Sequence, residues 1–144
     1  MESIAHPEFY PDTRIYKGKL YVTVRLPEMD THIAKLLGQK QKLQFGYDTT
    51  FKCGDFWCSI LIFRHPYLKE EKIVACGVLL HQSKEECGHE EFFMDKQRRI
   101  PAMNSNLVTF VTDRELSINN AIRGAFPAAN YLFCYKHILD VSTS

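Results

Sequence analysis

Two aspartates stand where metal chemistry would want them. Asp48 falls late in KLQFGYDTTF, a segment in which Leu43, Phe45 and Tyr47 alternate with Gln44, Gly46 and Asp48. That is the period-two signature of a strand with unlike faces. Aspartate is depleted in strands, so its place on the polar face asks for a reason. Asp113 ends NLVTFVTD, just where the chain turns into a helix. If the two strands are neighbours, both carboxylates meet at one end of a sheet. Hard cations such as Mg²⁺ or Mn²⁺ bind through such oxygens, and paired ions catalyse phosphodiester cleavage. Plainer readings exist for both residues. Thr112-Asp113-Arg114-Glu115 also fits a capping box, with Thr112 as N-cap and Glu115 at the third position. Asp48 would also serve as a strand-end residue bonding the Lys52-Cys53-Gly54 turn.

Cys134-Tyr135-Lys136-His137 offers two zinc ligands at workable spacing, and Cys87-Gly88-His89 two more. A closed zinc site needs four. Against this, Cys134 reads equally as a buried strand cysteine and His137 as a surface histidine. Lys96-Gln97-Arg98-Arg99 is a short basic run able to touch a phosphate backbone, or simply a solvated helix end. Phe56, Trp57, Phe63, Phe92 and Phe93 read as core rather than as platforms for stacked bases.

The elements that would position these residues follow from periodicity. LYVTVRL over Leu20–Leu26 is a short strand closed by Pro27, and Thr31–Leu37 a short helix. From Leu43 onward come three strands joined by turns: the Asp48 strand, DFWCSILIFRH and KIVACGVLLH. The second is apolar enough to predict cover on both faces, and the third reads as buried. Ser83–Arg99 reads as a surface helix interrupted at Gly88. The Asp113 strand follows, then a helix with Ile118, Ala121, Ile122 and Ala125 on one stripe, ended by Pro127, and a strand over Tyr131–Tyr135. The order β-β-β-α-β-α-β implies an α/β mixed sheet with an antiparallel half and a parallel half, the Asp113 strand lying beside the Asp48 strand. That topology is RNase H-like. Residues 1–40 read as a separate N-terminal segment without an evident role, and 41–144 as the domain proper.

The 144 residues suffice for one domain, and 45% hydrophobic with 24% charged residues is a globular balance. A net charge of +1 lends no support to unaided DNA wrapping. The N-terminal MESIAHPEFYPDTR lacks a signal-peptide pattern, and no apolar run is long enough to span a bilayer. The expectation is a soluble nuclear or cytoplasmic protein whose five cysteines are reduced.

Taken together, QFGYDTTFKCGDFWCSILIFRH, VLLHQSKEECGHEEFF and FVTDRELSINNAIRGAFPAANYLFCYKHIL resemble, in that order, the Mutator-like element (MULE) transposase domain. The resemblance spans roughly residues 41 to 141. It implies a DDE-type enzyme that cuts transposon DNA ends and joins them, with Asp48 and Asp113 as the first two catalytic acids holding Mg²⁺ or Mn²⁺. The family's Cys-x2-His maps onto Cys134 and His137, in a structural or positioning role. The family's third acid lies on a helix well beyond that pair, and Asp140 follows the final strand too closely to replace it. The expectation is therefore a domain incomplete at its C-terminus: a fragment or decayed copy, inactive alone and prone to self-association through an uncovered sheet face. The alternative is a domesticated module acting through DNA or protein contacts without catalysis.

Overall fold

A computed structural model describes residues 10–16, 18–64, 73–82, 86–112 and 115–133. The Asp48 strand, β3 (Leu43–Cys53), turns back as β4 (Phe56–Arg64), which pairs antiparallel with β5 (Ile73–His81). After α2 (Glu86–Arg99) and a 3₁₀ turn, β6 (Val108–Thr112) returns parallel to β3 on its other side. Helix α3 (Leu116–Ala125) then leads to β7 (Asn130–Phe133), parallel to β6. This mixed sheet has the RNase H-like arrangement that the element order predicts.

The chain upstream adds to the same sheet. β1 (Tyr10–Tyr16) and β2 (Lys19–Arg25) form a hairpin, and β2 pairs with β5, giving the strand order β1-β2-β5-β4-β3-β6-β7. The sequence signals miss β1, because Pro11 and Asp12 are poor strand residues and its pairing comes from β2. Pro27 does more than close β2: it is the first residue of α1 (Pro27–Gly38), where its missing N–H costs nothing.

A row of aromatic rings crosses four strands in register. Phe63, Phe45 and Phe110 sit with centroids 5.8 and 5.6 Å apart, and Tyr131 lies 6.2 Å beyond Phe110. The three α-helices among the described residues all feed this same buried cluster: Ile33 and Leu36 from α1, Phe92 and Phe93 from α2, Ile118 and Ile122 from α3. Burying each large side chain contributes roughly 1.5–3 kcal/mol. On the opposite face the register aligns Asp48, Ile60, Val78 and Val24. These are half-buried, and among the described residues no helix lies over them. Among the described residues the expected cover on both faces of β4 is thus not found; the burial of β4 and β5 alternates instead.

Helix α2 also differs from expectation. It is continuous through Gly88, and its inner face is core rather than surface: His89, Phe92, Phe93 and Lys96 are all buried. A β-carbon at Gly88 would meet the Tyr21 ring at 2.7 Å from Cδ1 and closer still to Cε1. Glycine is there for close helix–strand approach, not to break the helix. Gly77 does the same for Phe92, whose Cζ would lie 2.9 Å from an added β-carbon.

Candidate functional site

The alternation of β3 decides where Asp48 sits. Leu43, Phe45 and Tyr47 turn under the helices, so Asp48 turns to the open face, opposite Ile60. It is half-buried, with Oδ2 enclosed. The ladder slips by one residue between Thr49 and Phe51, directly after Asp48. Such bulges bend a strand and re-aim its side chains. From the helix side the strand end is held by a polar chain: Thr49 Oγ1 lies 2.7 Å from Ser59 Oγ, which lies 2.8 Å from His81 Nε2. The Tyr47 hydroxyl meets His89 Nδ1 at 2.9 Å, and burial pushes its phenol well above the ordinary range.

The neighbouring strand is fixed with equal care. Gly46 pairs with Val111 in the parallel ladder. One residue on, Thr112 Oγ1 donates to Asn119 Oδ1 at 2.6 Å, with both residues buried. That bond ties the end of β6 to α3. The capping-box reading fails here, since Thr112 belongs to β6 and Glu115 is the N-cap, accepting from Ser117 Oγ at 3.1 Å. Asp113 itself lies outside the described residues, as do Cys134, His137 and Asp140.

Residues 44–141 match the MULE transposase domain, about two-thirds of the chain. The chain belongs to that family. Comparison with curated proteins and with solved structures gave no match.

Within this MULE domain the remaining candidates are engaged in packing. Cys87 Sγ contacts the Tyr21 hydroxyl at 3.5 Å and His89 bonds Tyr47, so both join α2 to the sheet. Among the described residues no group of three His, Cys, Asp or Glu side chains could hold a metal ion. The basic run is also turned inward. Lys96 Nζ donates to Asp30 Oδ1 at 2.8 Å and to the Cys76 carbonyl at 2.7 Å, while Arg99 pairs with Asp30 Oδ2 at 2.7 Å. Asp30 and Lys96 are 6% and 4% exposed, so this cluster joins α1, α2 and β5 and leaves mainly Arg98 for solvent. Asp55 is exposed in the β3–β4 turn. Trp57 carries Lys52 over its ring at 5.3 Å. The buried Ser59 and His81 escaped the sequence reading, their only signal being a histidine at the end of an apolar strand, while His89, read there as a possible zinc ligand, bonds Tyr47 instead. Among the described residues no helix is long and apolar enough to cross a membrane.

Proposed function

We propose that this MULE domain carries the first two acids of a DNA cutting-and-joining site, Asp48 and Asp113, and that these 144 residues alone do not cleave DNA. One observation carries the reading: Gly46 pairs with Val111 in the parallel ladder, and Asp48 and Asp113 each stand two residues further along their chains. Asp48 fits an Mg²⁺ or Mn²⁺ ligand in kind, being a hard oxygen donor on the face free of described helices. When bound, the ion supplies Lewis acidity at a phosphodiester oxygen and activates water. The protein's own part is to aim the carboxylates: the bulge after Asp48 and the Thr112–Asn119 bond fix the two strand ends independently of any metal. Two carboxylates offset the charge of one dication but give little hold on a second, and losing about 4 kcal/mol of transition-state stabilisation lowers a rate roughly a thousandfold.

Titration with Mn²⁺ followed by electron paramagnetic resonance tests the acid pair. The expected result is one weakly held ion, lost in both Asp48→Ala and Asp113→Ala; retention in either variant removes that acid from the site. In a nicking and strand-transfer assay on supercoiled DNA, the chain should match its Asp48→Ala, Asp113→Ala variant. Activity well above that variant would mean other acids of this chain complete the centre.

A second reading, a transposase-derived module acting through protein contacts, is favoured by the inward pairing of Lys96 and Arg99. It removes the main basic run from any DNA-facing surface.

A further inference from the structure

Between the β1–β2 hairpin and α2 runs an open groove of about 580 Å³, within the range of ligand-sized clefts. Its floor is Tyr21, Thr23 and Leu79 from the sheet. Arg14 and Ile15 of β1 form one rim, and Glu90, Glu91 and Met94 of α2 the other. Arg14 bridges the rims through Glu91 at 3.0 Å, and Arg25 ties Asp95 and Asp12 at 2.8 and 3.3 Å.

Charge and apolarity together define what suits this groove. Four acids, Asp12, Glu90, Glu91 and Asp95, line it against one arginine, and Arg25 neutralises one more charge beside it. The surplus is negative, which repels phosphate backbones and attracts Lys and Arg. Two apolar side chains stand at the rim in solvent: Ile15 is 75% exposed and Met94 36%. Methionine adapts its shape to varied partners, and apolar anchors inside a charged rim are the usual anatomy of a protein interface. The hairpin also precedes residues 44–141, so one wall of the groove lies outside the matched family domain.

We propose that this groove docks a basic segment of a partner protein, with an apolar side chain seated over Thr23 against Met94 and flanking Lys or Arg residues paired with Glu90 and the other rim acids. The inference is independent of the acid pair at Asp48 and Asp113, and its test leaves those residues untouched.

The probe is a short fluorescein-labelled peptide alternating Arg and Leu, read by anisotropy against the full chain. An Arg–Ser peptide of equal charge and a Glu–Leu peptide of equal apolarity are the controls. The expected result is saturable binding of the Arg–Leu peptide, about tenfold tighter than either control. Glu90→Lys and Ile15→Ser should each weaken it about tenfold, while circular-dichroism melts stay unchanged because both positions are exposed. Equal binding of Arg–Ser and Arg–Leu, or insensitivity to both variants, overturns the proposal. Sedimentation completes the test: a dimer abolished by Ile15→Ser would make the occupant a second copy of this chain and the proposal wrong.

Discussion

Replacing Gly88 with alanine sets two effects of known size against each other. In an exposed helix interior the change stabilises by about 1 kcal/mol, because glycine loses more backbone freedom on folding. Here the new methyl meets Tyr21 Cδ1 at 2.7 Å, roughly an ångström inside ordinary carbon–carbon contact. The ring has little room to retreat: Tyr21 is 6% exposed, its hydroxyl lies against Cys87 Sγ, and its backbone is paired to His81 in β5. Overpacking of this kind costs about 1–3 kcal/mol, so set against that gain Gly88→Ala should be neutral to destabilising, by up to about 2 kcal/mol net, with β2 levered away from α2. Urea denaturation of the chain, Gly88→Ala, Tyr21→Leu and the double variant gives the coupling. In the Tyr21→Leu background the ring atoms are gone, and alanine should become neutral or stabilising. A Gly88→Ala variant that gains about 1 kcal/mol in the unaltered chain, or equal effects in both backgrounds, would refute close packing as the reason for this glycine.

Asp30→Ala should cost about 3–5 kcal/mol by stranding the buried Lys96 ammonium, and adding Lys96→Met should recover most of it; chemical denaturation of both variants measures this. At high pH the buried Cys76 thiol, pushed up to about 12 chiefly by burial, and the Tyr47 phenol, raised for the same reason, stay protonated while their unfolded counterparts ionise. Their stabilising contribution is therefore whole below about pH 8.5 and lost at about 1.4 kcal/mol per pH unit per group above each unfolded value. The urea midpoint should fall between about pH 9 and 11, less steeply in Cys76→Ala, and a flat profile would contradict the assignment.

The β3 face pattern was legible because burial differs across the strand: Leu43, Phe45 and Tyr47 alternate with polar residues, and that fixed the side of Asp48. The α3 stripe of Ile118, Ala121, Ile122 and Ala125 was legible for the same reason. Helix α2 was not. His89 and Lys96 are inside only because Tyr47 and Asp30, 42 and 66 residues away in sequence, supply partners. No local periodicity carries that information. The Thr112-x2-Glu115 pattern misled in the other direction, since a local capping signal lost to the buried Asn119 partner and to the sheet. Of the candidate site, the strand order beside Asp48 was readable from topology rules, while the groove was not, because β1 exists through pairing rather than propensity.

The pairing of Tyr21 with His81 also has a temporal side. A ribosome adding about 5–20 residues each second finishes β2 and then needs about 3–12 s to synthesise the strand β2 will pair with. The local hairpin closes within about 1–10 µs and so is ready long before that partner emerges. Throughout the wait Val22 and Val24 have no β5 to lie against, and one long edge of the hairpin is unpaired. Nascent chains of this protein are thus most open to chaperone capture, or to pairing with another nascent chain, in the seconds before β5 emerges.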